Sequence, residues 1–290
     1  MKKFIGNILI CLAILISINV FFNFLIWKNY YKDYSEINLN YETYLLGDSH
    51  GKALADNMEN KGVFNFSAVS DSYFDMHRKI NFLIQNSKVK KIILTVDDHT
   101  LSKYREGSNN LDRSVIYSTA ADFDSYVDFI KDRYLKRYIA FSNSKSRDLL
   151  KALFISTLKS SGGKMKKKKV WNELTEQERF ALADKRAAVQ FPGKQQSAAL
   201  ISQLDQIISL CHKNKIELIG IKFPLSGEYY SLVGSKSYNA DSLFLRKGLF
   251  VSDFTTIFKD NPDYFADQDH LNETGSKKFC AIMINHIDNR

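Results

Sequence analysis

Gly47-Asp48-Ser49-His50-Gly51-Lys52 follows the apolar run Tyr44-Leu45-Leu46. A strand-to-helix turn holds a side chain up at the carboxyl edge of an α/β sheet, where open sheets bind ligands. Ser49 would sit at its tip. A serine hydroxyl is a poor nucleophile until a neighbouring base takes its proton, and that base needs a fixed tautomer. The second informative stretch is Tyr264-Phe265-Ala266-Asp267-Gln268-Asp269-His270-Leu271-Asn272, in a loop ahead of the last predicted helix. Asp267 and His270 are three residues apart, so on a tight turn the carboxylate can hold one imidazole nitrogen while the other faces outward. Asp-x-x-His alone is common. Paired with a serine on the same predicted rim, it becomes a more specific signal, that of a serine nucleophile with its base. Taken singly, these residues have plainer uses: Asp48 or Ser49 as a helix cap, Asp98 and His99 as a local turn contact.

The elements that must position these residues are legible as alternating patterns. Short apolar runs over 41–46, 63–66, 91–96, 216–223 and 249–253 predict strands, and 52–60, 71–85, 197–213 and 273–287 predict helices. Strands alternating with helices predict a three-layer α/β/α sandwich with a mainly parallel sheet. The alternation is interrupted from about 100 to 194, which is expected to be an insertion within a domain spanning 41–290. Tyr229-Tyr230, after Pro224 at the end of the fourth strand, suits a pocket rim and core packing equally well.

Ahead of this domain, Phe4 to Trp27 carries no charged residue. As a helix it is about 36 Å long, enough to cross a hydrocarbon layer of roughly 30 Å. No small-residue cleavage site follows, and Trp27, Tyr30 and Tyr31 resemble an interfacial aromatic belt, so a retained anchor over 1–28 and a stalk over 29–40 are expected. Lys2 and Lys3 favour an inside amino terminus, which puts the main domain outside the cytoplasm, periplasmic or extracellular. Cys211 and Cys280 lack a metal or redox spacing and are expected to be buried singletons. The net charge of +9 is partly concentrated in Lys164-Met165-Lys166-Lys167-Lys168-Lys169. This run is a solvated loop or a contact for anionic lipid or anionic glycan. Without interleaved aromatics or a recognised motif, nucleic acid is not an expected partner.

The two stretches resemble the SGNH/GDSL hydrolase family: Gly47-Asp48-Ser49-His50 is similar to its first block and Asp267-Gln268-Asp269-His270-Leu271-Asn272 to its last. The resemblance covers roughly 41–99 and 195–288. It implies a flavodoxin-like hydrolase fold, Ser49 as nucleophile, His270 as general base and Asp267 as the residue that orients it. Asn65-Phe66-Ser67-Ala68-Val69-Ser70-Asp71 resembles the second block, with Ser70 where the family usually has a glycine that donates its N–H to the oxyanion. The third block departs further. Val96-Asp97-Asp98-His99 stands where the family has Gly-x-Asn-Asp, and an ionised aspartate cannot donate a hydrogen bond. A protonated Asp97, His99, a backbone N–H, or a hole with one donor fewer are the alternatives; losing one donor costs roughly 3–4 kcal/mol in the transition state.

The resemblance therefore implies a membrane-anchored serine esterase or O-acyltransferase without metal or cofactor. Its context is similar to that of proteins acting on acyl, in particular acetyl, esters of envelope carbohydrate. A degenerate domain that binds glycan or a partner without catalysis is the alternative. Gly-Asp-x-His-Gly also opens the calcineurin-like metallophosphoesterases, and Asp97, Asp98, His99, Asp267, Asp269 and His270 could supply two metals. The later motifs of that family are missing, so it ranks below both.

Overall fold

The computed structural model describes residues 1–159, 169–193 and 195–289. The chain divides into two compact units, Met1–Glu36 with Asp112–Lys167, and Ile37–Leu111 with Lys168–Arg290. Part of the expected insertion, 112–167, thus groups with the N-terminal helix, whereas 168–194 belongs to the sheet unit. Lys164–Lys168 lie outside the described residues, so of the basic run only Lys169 is placed; it pairs with exposed Glu178 at 3.1 Å.

The sheet unit is built on five strands: β1 (Thr43–Leu46), β2 (Val63–Asn65), β3 (Lys91–Thr95), β4 (Glu217–Lys222) and β5 (Phe250–Asp253). All neighbours pair in parallel, in the order β2-β1-β3-β4-β5. This is the flavodoxin-like order, in which the chain reverses direction between β1 and β3 and leaves a crevice beyond their carboxyl ends. Both faces of the sheet are covered, which explains why the strands read as continuous apolar runs. Leu45, Ile93, Ile219 and Ile221 form one cluster with Phe279, Cys280, Met283, Ile284 and Ile287 of the last helix. Alternate residues point to the opposite face, where Tyr44, Leu46, Ile92 and Leu94 are equally buried. Gly220 on β4 lies against Phe244, Val251 and Val96 so closely that a Cβ would sit 3.0 Å from each.

In chain order the principal helices are α1 (Lys2–Ile26), α2 (Ser49–Lys52), α3 (Tyr73–Asn86), α4 (Ser144–Lys159), α5 (Glu176–Gln190), α6 (Ala198–Lys213), α7 (Gly227–Val233), α8 (Ala240–Arg246) and α9 (Glu273–Asp288). The helix expected over 52–60 is only the single turn of α2, followed by turns and a 3-10 segment at Glu59–Lys61. Ala55 has φ 47°, a left-handed conformation that interrupts the helix. α7 and α8 carry too few apolar positions to show a period. Tyr229 of α7 is buried with Ala183, Ala187, Leu225 and Val233. Cys211 and Cys280 are free and buried, and burial pushes both thiols up to about 12.

In the other unit, α1 is one helix long and apolar enough to cross a membrane. Phe22, Leu25 and Ile26 in its last turns, with Tyr30 and Tyr31 just beyond it, pack against Ala140, Leu149 and Leu150.

Candidate active site

Three loops meet beyond the carboxyl ends of β1 and β3. The first is the turn into α2. Asp48 caps this helix, its Oδ1 accepting from the His50 N–H at 3.0 Å. Gly47 and Gly51 are both buried, and Gly51 lies directly on Ser67, where an added Cβ would come within 2.9 Å of the Ser67 Cβ. A side chain at 51 would push this turn away from the segment after β2. Ser49, the first residue of α2, is half-buried.

The second loop follows β3. Asp97 accepts at Oδ2 from His50 Nδ1 (2.7 Å) and the Thr95 hydroxyl (3.1 Å), and at Oδ1 from the Phe223 N–H (2.7 Å). Both of its oxygens are thus engaged as acceptors away from any substrate oxygen. His99 donates from Nε2 to Asp48 Oδ2 at 3.1 Å, with Arg105 3.5 Å from the same oxygen. Asp98 turns the other way, onto Lys222 (2.8 Å), which also approaches Asp241 and Asp253. Burial raises the Asp98 carboxyl above the usual range despite that lysine.

The third loop, between an isolated bridge of Phe265 with Leu271, precedes α9. Asp267 Oδ1 accepts the backbone N–H groups of Asp269 (3.1 Å) and His270 (3.0 Å), so its side chain shapes the turn it sits in. The same carboxylate takes His270 Nδ1 at 2.8 and 2.9 Å. His270 Nε2 is buried and has no partner among the described residues. Asn272 then caps α9 through the Gly275 N–H at 2.9 Å. At Gly275 a side chain would collide with Tyr264, which keeps the loop close to the helix start.

His50 joins the three loops. Its side chain is 1% exposed, with Asp97 at one nitrogen and Asp269 Oδ2 at the other, 3.3 Å away. Its ring centroid lies 5.3 Å from that of His270 and 5.2 Å from that of His99. Burial lowers the His50 pKa, but Asp97 and Asp48 outweigh it and hold the imidazole well above its ordinary value. Each ring nitrogen faces a carboxylate oxygen, an arrangement that favours the charged imidazole. Asp269 is fully buried and also accepts from Arg186 Nε (2.7 Å) and Gln190 (3.0 Å), one turn apart on α5. Burial raises the Asp269 carboxyl, but the His50 hydrogen bond and the charges of His50, His270 and Arg186 hold it well below the usual range. Burial also raises the Asp48 carboxyl, but His50, His99 and Arg105 outweigh it and hold the group well below the usual range.

Two sets of groups are close enough to share a cation: His50, Asp269 and His270, and Asp48, His50 and Asp97. Both include His50, whose two ring nitrogens already face Asp97 and Asp269.

Ser70 has φ 71°, the left-handed region that glycine prefers, at the position where the second block of the resemblance has glycine. Ser49, His50, Asp97, Asp267 and His270 are all brought to one sheet edge. The sequence offered His50 and Asp269 only through the metal alternative, not as a pair joining the loops, and Arg186 and Gln190 were missed. The two carboxylates flanking Gln268 and the Arg186–Gln190 spacing of four were the available signals.

No protein-family model matches the chain, and no curated protein matches it. Two solved structures are similar over most of the length. A "putative acylhydrolase" of Bacteroides fragilis aligns with 90% of this chain and 95% of its own, at 8% identity and a TM-score of 0.43. A GDSL-like lipase of Bacteroides thetaiotaomicron aligns with 91% of this chain and 97% of its own, at 8% identity and a TM-score of 0.44.

Proposed function

We propose that the chain is a serine ester-processing enzyme of the SGNH kind, anchored by α1 with its site outside the cytoplasm. The observation that carries this is His270: its Nδ1 is fixed by both oxygens of Asp267, its Nε2 is buried with no partner among the described residues, and its ring centroid lies 5.3 Å from that of His50, the residue after Ser49. That is the state of a base waiting for a hydroxyl. Ser49 Oγ makes no hydrogen bond among the described residues, so closing the Ser49–His270 contact belongs to substrate binding.

In this mechanism the Ser49 oxygen attacks the acyl carbonyl while His270 Nε2 takes the hydroxyl proton. The backbone N–H groups of Ser49 and Ser70 carry no hydrogen bond among the described residues and supply the donors to the oxyanion. Asp97 holds His50 and leaves that role to the backbone. His270 returns the proton to the departing alkoxide, leaving an acyl group on Ser49. Water or a sugar hydroxyl then attacks the acyl-serine, which makes the protein an esterase or an O-acyltransferase. The substrate class proposed is an acyl, in particular acetyl, ester of an envelope carbohydrate. Lys164–Lys169 are proposed to meet anionic lipid or glycan.

The test is an ester profile of the envelope glycan in cells carrying the wild type or Ser49→Ala. A gain of esters in the variant identifies an esterase and a loss identifies a transferase. An unchanged profile contradicts the glycan assignment. One observation favours a second reading, a glycan-binding domain without catalysis: Asp97 offers the oxyanion no side-chain donor. Glycan binding retained in Ser49→Ala, with no ester turnover by the wild type, would select it.

A further inference from the structure

The uncharged stretch of α1 contains two asparagines whose side chains reach outside the helix. Asn19 and Asn23 both donate to the Tyr138 carbonyl, at 2.9 and 2.6 Å, and the Ala140 N–H donates to Asn19 Oδ1 at 3.0 Å. Their target is a break in regular structure. The short helix Lys136–Tyr138 ends there, and Ile139 is extended at φ −104° and ψ 102°. Two other carbonyls at this break have backbone donors: Leu135 accepts the Ile139 N–H and Ile139 accepts the Ser142 N–H, each at 3.0 Å. The Ser142 hydroxyl approaches the carbonyls of Leu135 (3.3 Å), Lys136 (3.1 Å) and Ile139 (2.8 Å). In water, solvent would serve these groups. In a bilayer, non-helical backbone is tolerated only when the protein itself supplies the partners.

The side chains around the break have the opposite character. Leu135, Tyr138, Ile139 and Phe141 are 51%, 57%, 49% and 48% exposed. Phe141 also meets Phe22 of α1 edge-on, with centroids 5.1 Å apart. Of the nearby cations, Arg137 lies 5.3 Å from the ring of Tyr31, four residues beyond Trp27, and 5.6 Å from that of Tyr138, Lys136 pairs with Asp132, and Arg147 donates to the Phe141 carbonyl. Apolar side chains near the break with a cation directed to the interface are the distribution of a membrane-inserted amphipathic segment.

We infer that residues 134–141 dip into the lipid bilayer beside α1, pinned there by Asn19 and Asn23. The inference rests on α1 spanning the membrane. At 1.5 Å per residue, the two asparagines lie about 6–12 Å along the helix from Trp27, a depth at which lipid chains surround the apolar side chains. The chain thus holds the membrane with a helix and a re-entrant turn, which fixes the rotation of α1 as well as its depth.

The test uses the full chain with Cys11→Ser, reconstituted in phosphatidylcholine–phosphatidylglycerol vesicles. Nitroxide labels are placed singly at Ile139→Cys, at Leu15→Cys within α1 and at Leu182→Cys on the sheet unit. Collision with dissolved oxygen and with a water-soluble nickel chelate reports depth. The expected result is a several-fold higher oxygen-to-nickel ratio at 139 than at 182, approaching that at 15. Adding Asn19→Ala and Asn23→Ala should shift the 139 label towards water. A nickel-accessible label at 139 with a lipid-embedded label at 15 overturns the dip and leaves the span intact. A nickel-accessible label at 15 overturns the span, and the dip with it. A label at 139 shielded from both reagents means that protein, such as a second copy, covers the turn, and it overturns the lipid assignment. Phe141→Cys repeats the measurement at a second exposed position.

Discussion

His50 Nδ1 stands 2.7 Å from Asp97 Oδ2, joining the loop after β1 to the loop after β3 at the point where the strand order reverses. Both side chains are buried, so removing Asp97 takes away the shorter of the two carboxylate contacts of His50 and leaves the Phe223 N–H without its acceptor. Asp97→Ala is expected to destabilise the fold by about 3–5 kcal/mol, measured as a lowered urea midpoint. His50→Gln, which removes the charge but keeps a hydrogen-bonding side chain, should cost less.

The same cluster sets a pH window. His50 is raised, so its contribution is complete below its ordinary pKa near 6.5 and is lost as pH climbs towards the raised folded value. Asp48 and Asp269 are depressed, so theirs is complete above the ordinary carboxylate value near 3.8 and is lost as pH falls towards the depressed values. The cluster therefore stabilises most between those limits. Urea midpoints of the wild type should fall as pH rises above 6.5. In His50→Gln that alkaline decline should shrink, and an undiminished decline would assign it elsewhere.

Asp267 orients His270 and lies 40% exposed, so its loss should be felt in chemistry more than in folding. Asp267→Asn can present an amide N–H to Nδ1 and select the wrong tautomer. A fall in ester turnover on the order of 10³–10⁴-fold is expected, with an unchanged circular dichroism spectrum. Initial rates on an activated acetyl ester provide the measurement.

Gly51 offers a packing test of the turn that carries Ser49. Gly51→Ala forces its new methyl onto Ser67 and should cost about 1–3 kcal/mol, lowering both the urea midpoint and turnover. Ser67→Gly in the same chain removes the obstructing Cβ and should restore much of the loss. Failure of that rescue would mean the turn is constrained by something other than this contact.

Much of this arrangement could be read from the chain, because buried parallel strands declare themselves as apolar runs. Tyr44–Leu46, Ile92–Thr95 and Leu218–Ile221 stand out, as does the helix period of Leu200, Leu204, Ile207, Ile208 and Cys211. The contact of Asp267 with His270 was legible from their spacing of three, whereas Ser49 is singled out by its turn and by the family resemblance. His50 could not be assigned its place, since a histidine after a nucleophile candidate looks the same whether it faces solvent or two carboxylates. The pairing of Arg186 and Gln190 with Asp269 spans about 80 residues, and no local pattern reports it. Asn19 and Asn23 read as interruptions of an apolar helix; their partners, Tyr138 and Ala140, lie in a segment with no period of its own.

The central claim is that Ser49 is a nucleophile activated by His270. The most direct measurement is intact-mass and peptide analysis of the folded full chain after exposure to a fluorophosphonate. The account predicts one adduct, on Ser49, strongly reduced in His270→Ala. No adduct on a folded wild type, or one that stays on Ser49 at full rate without His270, would contradict it.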